Sequence, residues 1–387
     1  MAAPAGQLPR WVDYGLMPVI NLLAAFIIAG VVVLFVALQW QGDLVSTVNE
    51  AFRILGEVVS TMLYGSLGYG EGIAFTMFYA TNFIFTGLSV AVAFHAGLFN
   101  IGSDGQAYIG GIGVALVCLT FDASLPWWLN GLLAAAASFA FGAAWAFIPA
   151  WLQAKRGSHI VITTIMFNFI ASALMVYLLV NVINQPGNMA PETRTFTDDA
   201  ALPKLGWLFG IFGLDIGGAP LNVSIFLALA AAAFVWALIW RTRFGYEMRT
   251  MGHNATAAVY AGIPPVSTII ITMLISGGIA GLMALNPIMG DQHRLNIEFT
   301  AGAGFVGIAV ALMGRAHPLG IVLASILFGM LYQGGAELAF DMPAITRDMI
   351  VVIQGLVILF AGALEHMFRP SLVRLFQAVT PMKPRQA

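Results

Sequence analysis

The sequence predicts an all-α protein that crosses the membrane several times. Of its 387 residues, 60% are hydrophobic and only 9% are charged, whereas a soluble domain contains about 25% charged residues. Apolar stretches long enough to cross a bilayer recur along the whole chain, and a transmembrane helix needs about 20 such residues. No segment alternates in the ~10-residue pattern of a barrel strand. These observations favour a polytopic helical bundle.

Ten candidate spans follow one another, and we interpret residues 1–387 as a single transmembrane domain. The first apolar run is too long for a cleavable signal peptide, which predicts a retained anchor. Residues 42–70 are more polar, with apolar residues at helical spacing, which predicts an amphipathic helix at the interface. The spans are predicted at 16–38, 72–95, 104–121, 127–153, 160–183, 221–240, 263–289, 299–313, 319–335 and 345–368.

The distribution of basic residues predicts the orientation, because cytoplasmic loops carry an excess of Lys and Arg. With the N-terminus inside, eleven of the 16 lysines and arginines fall in the cytoplasm and the remaining five outside. Both termini are therefore predicted to be cytoplasmic, as an even number of spans requires. Residues 184–220 then form a long outward-facing loop, and residues 241–262 form a basic cytoplasmic loop.

A polar break, GLFNIGSDGQ, separates the second and third spans at residues 97–106. Gly97 is suited to end a helix, since glycine adopts the left-handed cap conformation freely. Ser103 and Gln106 have the spacing of a capping box, which predicts a helix start at Asp104. A carboxylate in a first turn suits the helix dipole. The break is either an ordinary cytoplasmic turn or a discontinuous helix that lines a pathway.

One internal similarity occurs at an offset of 196. Residues 100–116 and 296–312 are identical at eight of seventeen ungapped positions. One copy is predicted to start at the inner face and the other at the outer face, which indicates a 5+5 inverted repeat with its pathway at the repeat interface. Chance is the alternative, because small apolar residues match easily, but the pair Asn100 and Asn296 is not explained by composition. Gly277 and Gly281 add a GxxxG motif, which predicts close helix packing.

Three segments together resemble one family. They are GLFNIGSDGQAYIGG at 97–111, TRFGYEMRTMGHNATAAVYAGI at 242–263 and SGGIAGLMAL at 276–285. They are similar to signatures of the permease subunits of bacterial ABC importers for simple sugars and nucleosides, a family that also contains ribose and branched-chain amino-acid permeases. The resemblance covers about residues 75–365. Thr250 and Asp104 depart mildly from the usual residues. The 184–220 insertion resembles the larger of two paired permeases in the nucleoside branch.

This resemblance implies an importer subunit with alternating access in the bacterial inner membrane, and not an enzyme. Its expected partners are ABC ATPase subunits that hold ATP and Mg, a second permease in a heterodimer, and an extracytoplasmic substrate-binding lipoprotein. No nucleic acid is expected as a partner. The chain itself contains no Walker motif, and we expect no cofactor in it. The single cysteine, Cys118, and six scattered histidines predict no metal site.

The resemblance also implies an ATPase-docking role for the cytoplasmic loop at 241–262. Asn254 is a good N-cap, so residues 255–261 are predicted to form a short helix that Gly262 ends. A plain basic loop is the alternative. The predicted docking residues are Glu247, Arg249, Gly252, His253 and Asn254. On the outer side, residues of the long loop are expected either to meet the binding protein or to be merely solvated; they are Glu192, Arg194, Asp198 and Asp199.

A neutral, hydrogen-bonding ligand suits a pathway with amides and few charges. The candidate pathway residues, each of which could instead join two helices by a hydrogen bond, are Asn82, Phe99, Asn100, Gln106, Asn168, Asn286 and Gln333. A gradient-driven secondary transporter or channel is the rival class, disfavoured because intramembrane charges are costly and almost absent here, with Asp104 the main candidate. A regulatory or scaffold membrane protein is the third class. Within the ABC interpretation, sugar, riboflavin-like and branched-chain amino-acid substrates stay open.

Overall fold

The computed structural model describes residues 44–341 apart from 186, 188 and 212, together with single positions at 27, 31, 34, 352 and 355. This part of the chain contains seven helices that are long and apolar enough to cross a membrane. Apart from those single positions, the predicted spans at 16–38 and 345–368 lie outside the described residues. The helical class of the protein is therefore confirmed, and the count of ten spans stays a prediction.

Most predicted boundaries agree with the structure to within a few residues. The amphipathic segment before the second span is one helix, on which Arg53 donates to Glu50 over 2.8 Å. The helices are α1 (Leu44–Leu67), α2 (Gly70–His95), α3 (Ser103–Phe121), α4 (Trp127–Arg156), α5 (Ile160–Asn181), α6 (Gly206–Ile211), α7 (Ser224–Arg241), α8 (Arg243–His253), α9 (Ala255–Tyr260), α10 (Pro265–Gln292), α11 (Ala303–Met313) and α12 (Pro318–Asp341).

The chain divides into two compact units, one of residues 66–330 and one of residues 1–65 with 331–387. Inside the larger unit, α2 and α10 are the most enclosed spans. In the apolar stretch of each helix, 83% of the residues of α2 and 72% of those of α10 are buried, against 28% in both α4 and α5. Helices α2 and α10 run antiparallel, because Ser89 on α2 meets Ser276, whereas Asn82, earlier on α2, meets Asn286, later on α10. This pair forms the centre of the larger unit.

Small residues bring α4 and α10 into backbone contact, as the GxxxG motif predicts. The Ser138 hydroxyl on α4 donates to the carbonyl oxygen of Gly281 over 2.5 Å. A Cβ atom placed on Gly142 would overlap the carbonyl oxygen of Gly277. Without a hydrophobic drive between helices in lipid, such close packing is a main source of helix association. The prediction of a tightly packed bundle is confirmed at this crossing.

The predicted continuous span at 299–313 is wrong in its first part. Ala301 and Gly302 both have positive φ, 45° and 73°, which a right-handed helix cannot contain. Helix α11 therefore begins only at Ala303 and has 11 residues, or about 16 Å of length, roughly half of the ~30 Å of bilayer hydrocarbon. Residues 293–302 are irregular backbone leading into a short helix.

The segment at 184–220, which is predicted to face outward, contains the short helix α6 between irregular stretches, and it is tied to the irregular backbone before α11. The Thr193 amide donates to the Leu295 carbonyl and the Leu295 amide to the Thr193 hydroxyl, both over 3.0 Å. The Phe196 amide donates to the His293 carbonyl over 2.7 Å. Backbone N–H groups that lie outside helices thus find hydrogen-bond acceptors in the opposite segment, as buried polar groups require.

Candidate functional site

The break at 97–106 differs from its predicted geometry at the helix start. Gly97 has φ +70°, so its predicted role in ending α2 is confirmed. Helix α3 begins at Ser103, one residue earlier than predicted, and its N-cap residue Gly102 provides no side-chain cap. The predicted capping box is therefore wrong. The Gln106 side chain turns away to Asn100, and Nε2 donates to Oδ1 over 3.1 Å.

Two asparagines supply the missing caps. Asn100 Oδ1 accepts from the Gly102 amide, and Asn168 Oδ1 on α5 accepts from the Gly105 amide, both over 2.9 Å. Asn168 Nδ2 also donates to the Ile101 carbonyl over 2.9 Å. The first amides of a helix have no intrahelical partner, so a distant side chain can take this role. Asn168 therefore holds the break from a different helix.

A buried polar cluster surrounds the break, and we call Ser89, Asn100, Gln106, Asn168 and Ser276 the inner cluster. Asn100 Nδ2 donates to Gln106 Oε1 and to Ser276 Oγ, both over 2.8 Å. The Ser276 hydroxyl in turn donates to the Ser89 carbonyl over 2.7 Å. All five residues are buried. Since a fully satisfied network in a low-dielectric interior is rigid, this cluster fixes the break against α2 and α10.

A second polar group, which we call the outer cluster, joins α2, α7 and α10 through Asn82, Asn222, Ser224 and Asn286. Asn286 Nδ2 donates to Asn82 Oδ1 over 2.8 Å. Asn286 Oδ1 accepts from Asn222 Nδ2 over 2.8 Å and from the Ser224 hydroxyl over 2.9 Å. Asn222 and Ser224 were missed, although two polar residues at the start of an apolar span were a usable signal.

Asp104 lies where the two discontinuous segments meet. Its Oδ1 accepts from the Gly304 amide, in the first turn of α11, over 3.3 Å. A Cβ atom on Gly304 would overlap the Asp104 backbone. The N-termini of α3 and α11 are thus in contact, and a buried carboxylate suits the positive ends of their dipoles. This contact gives the one charged residue of the break a structural reason to be buried.

The two remaining candidate pathway residues, Phe99 and Gln333, belong to neither cluster as defined above. Phe99 is half-buried and lines a cleft of about 280 Å³ together with Gln153 and His159. Gln333 belongs to the smaller unit, where its Nε2 donates to Glu337 over 3.0 Å. Glu337 was missed because the predicted span ended at residue 335, whereas α12 extends to Asp341.

The segment predicted to be a cytoplasmic loop forms two short helices rather than one. Asn254 Oδ1 accepts from the Ala257 amide over 3.0 Å, so the predicted N-cap and the helix after it are confirmed. Helix α8 before it was missed. Its Met248 and Met251 are buried, and apolar residues three apart in a polar stretch were the available signal.

Most predicted docking side chains make contacts within this loop. Glu247 Oε1 accepts from Arg243 Nε over 3.0 Å. Arg249 Nε donates to the Gly245 carbonyl over 3.3 Å, and His253 Nδ1 lies 2.8 Å from the Arg249 carbonyl. The large exposed side chains on α9 are instead Val259 and Tyr260, which are 55% and 89% exposed. They form an exposed apolar surface, and neither residue was among the docking residues predicted from the sequence.

Two ion pairs anchor the predicted outward-facing segment. Arg194 pairs with Asp122 through two contacts of 2.6 and 3.0 Å, and Glu192 pairs with Arg294 over 2.9 Å. The Arg194 guanidinium beside Asp122 holds the pKa of that carboxyl below its usual range. Asp198 and Asp199 are exposed. Two of the four residues predicted to meet a binding protein are therefore engaged within the chain.

Residues 72–362 match the family described as the permease component of the branched-chain amino acid transport system. The chain is 33% identical over 365 residues to the glucose ABC transporter permease protein TsgB13 of Haloferax volcanii, covering 92% of this chain and 89% of that protein. It is 34% identical over 306 residues to the guanosine ABC transporter permease protein NupP of Bacillus subtilis, covering 78% and 83%. It is 30% identical over 352 residues to the nucleoside ABC transporter permease protein NupB of Lactococcus lactis, covering 89% and 90%.

These matches agree with the helical structure. Within the described residues, no group of His, Cys, Asp and Glu could hold a metal ion. Permeases of this family are transport components of the inner membrane that work with ATPase and substrate-binding partners, and they are not enzymes. With its many apolar helices and a family match over three quarters of its length, this multi-pass membrane protein belongs to the permease component family of branched-chain amino acid transport systems.

Proposed function

We propose that this chain is the permease subunit of an ATP-driven importer for nucleosides or related sugars. The observation that carries the proposal is the similarity, over 78–92% of the chain, to permeases named for glucose, guanosine and nucleosides. The chemistry of the interior supports it. The inner and outer clusters contain amides and hydroxyls without a charged side chain, and a neutral ligand with several hydroxyl groups needs such partners.

Alternating access would take place along the α2–α10 pair. The two clusters lie at two different levels along this pair, since Asn82 and Ser89 are about 10 Å apart along α2. Each amide is engaged by its neighbours in this conformation, so it becomes available to a ligand only when its cluster separates. We therefore assign Asn100, Gln106 and Asn168 to the inner end of the pathway and Asn82 and Asn286 to the outer end, with Phe99 beside the inner end and Gln333 a further candidate.

The inverted repeat of five and five helices is part of this proposal. Helices α2 and α10 correspond at an offset of 196 and run antiparallel. Helices α3 and α11 correspond at the same offset, and their first turns are in contact. Inverted repeats place irregular backbone and the substrate site at the repeat interface. Ten spans and two cytoplasmic termini follow if the predicted spans at 16–38 and 345–368 complete the two halves.

The partners follow from the same assignment. We propose that helices α8 and α9 dock the ATPase, which holds ATP and Mg, through Tyr260 and Val259 together with Glu247, Arg249, His253 and Asn254. Gly252, also predicted as a docking residue, packs against the end of α2, and we propose that it supports this surface without touching the ATPase. Exposed apolar side chains next to charged ones are typical of protein interfaces. This chain needs no cofactor of its own.

On the predicted outer side, the exposed carboxylates of Asp198 and Asp199 would contact a substrate-binding lipoprotein. Glu192 and Arg194 hold the segment that presents them. The long 184–220 segment supports a heterodimer with a second permease, because it resembles the larger of two paired subunits.

Substrate competition tests the ligand class. The chain is co-reconstituted in proteoliposomes with its ATPase, second permease and binding protein, and uptake of labelled guanosine is measured with excess unlabelled adenosine, glucose, riboflavin or leucine. The proposal expects nucleosides, and more weakly a sugar, to reduce the uptake. Absence of guanosine uptake, or guanosine uptake that leucine or riboflavin reduces while adenosine and glucose leave it unchanged, would contradict the assigned ligand class.

A further inference from the structure

The loop formed by α8 and α9 touches the break through two glycines. A Cβ atom placed on Gly97 would lie 3.1 Å from Cα of Gly252. A Cβ atom placed on Gly252 would lie 2.9 Å from the Gly97 nitrogen and would overlap the His95 carbonyl oxygen. Real Cβ contacts are rarely this close, so the two backbones meet with no room for a side chain between them.

Both sides of this contact are held firmly. Gly252 lies in the last turn of α8, whose Met248 and Met251 are 0% and 7% exposed and anchor the helix. Gly97 has φ +70° and ends α2, and its amide donates to the Phe94 carbonyl over 3.0 Å. A shift of α8 toward the end of α2 would therefore displace this turn.

The turn leads directly into the inner cluster. Asn100, three residues after Gly97, binds Gln106 and Ser276. The same turn contacts a further element, because His95 Nε2 lies 3.1 Å from the Ala316 carbonyl, in the connection between α11 and α12. Contiguous packed contacts of this kind are the physical route by which one site biases another.

We propose that Gly97 and Gly252 form a positioning joint that transmits movement of the docking loop to the inner cluster. This inference rests on the proposed ATPase docking. Docked ATPase would move α8, the bare backbone contact would pass that movement to the turn, and Asn100 would change its pairing. A methyl group on either glycine would separate the two backbones and alter the coupling without touching the ligand or the nucleotide.

The test uses the full importer complex and two matched pairs of variants. Gly252→Ala is compared with Gly56→Ala on α1, where an added Cβ would have nothing within 4 Å. Gly97→Asn is compared with Gly157→Asn, because asparagine tolerates positive φ and Gly157 has φ +67° with open space around it. ATPase co-purification, ATP hydrolysis and nucleoside uptake are measured for each variant.

We expect both joint variants to bind the ATPase and hydrolyse ATP, while the uptake per ATP hydrolysed falls about tenfold, within the roughly 5–150-fold range of coupled sites. The controls should stay within about twofold of the original chain. The uptake per ATP does not depend on the amount of folded protein, so a merely structural defect would not change it.

The outcomes separate the two proposals. Unchanged uptake per ATP in both joint variants would overturn the joint. Loss of ATPase binding in Gly252→Ala, with normal coupling in Gly97→Asn, would also overturn it and would place Gly252 in the docking surface itself. Failure of the original chain to bind any ATPase would instead overturn the proposed function.

Discussion

At the scale of single residues, the caps of the break come from side chains far away in the sequence. Local pattern predicted the cap at Asn254 correctly, because the side chain and the amide it accepts from are three residues apart. The same reasoning failed at Ser103, because Asn168, 63 residues from Gly105, takes the role that the capping box would have had. Sequence spacing cannot reveal a cap that a different helix provides.

Asn168→Ala should therefore destabilise the protein by about 1–3 kcal/mol, because it leaves the buried Gly105 amide and Ile101 carbonyl without their partner. Asn181→Ala on the same helix is the matched control. Its Nδ2 donates to the exposed carbonyl of Tyr177, so we expect little effect. Thermal unfolding in detergent measures both, and equal losses would contradict the capping role.

The ion pair of Asp122 and Arg194 predicts a pH dependence. Because the folded-state pKa of Asp122 lies below its ordinary value of 3.8, the pair stabilises the fold at neutral pH. That contribution is lost as the pH falls below 3.8 through the folded pKa. At pH 7, Asp122→Asn should therefore make the 184–220 segment more sensitive to proteolysis. The free energy of local opening should fall by about 1 kcal/mol, a small change because Arg194 is partly exposed. The difference should shrink as the pH falls below 3.8 through the folded-state pKa of Asp122, and a difference that stays constant as the pH falls would contradict the assignment.

At the scale of elements, apolar length predicted most helices and misjudged the segment before α11. Residues 299–302 were assigned to the start of a span because they join an apolar run, but Ala301 and Gly302 have positive φ. The backbone just before them pairs with the 193–196 segment, and Gly304 just after them donates to Asp104. These are contacts between distant parts of the chain, which hydropathy does not record. The offset of 196 did single out this segment as the counterpart of the break, although it could not give its conformation.

The packing of α4 on α10 gives a prediction at this scale. Gly281→Ala should destabilise the protein by about 1–3 kcal/mol, because the added methyl would overlap the Ser138 carbonyl oxygen and overpacking has this typical cost. Gly56→Ala, which meets no neighbour, is the control in the same melting experiment. An unchanged melting temperature for Gly281→Ala would show that the crossing can widen freely.

At the scale of the whole molecule, composition predicted the helical membrane class, and three short motifs predicted the family. The candidate pathway residues were chosen as polar side chains in apolar helices, and five of the seven prove to be paired in two clusters. Which amide binds which partner could not be predicted, because the pairing depends on how α2, α5, α7 and α10 pack. The clusters in turn place the proposed pathway along one antiparallel helix pair.

The energy source of transport is the central claim at this scale. The most direct measurement is the initial rate of labelled guanosine uptake into proteoliposomes that contain the complete complex, with and without internal ATP and a protonophore. We predict uptake that requires ATP and its hydrolysis and that the protonophore leaves unchanged. Uptake by this chain alone, without ATP and abolished by the protonophore, would contradict the account.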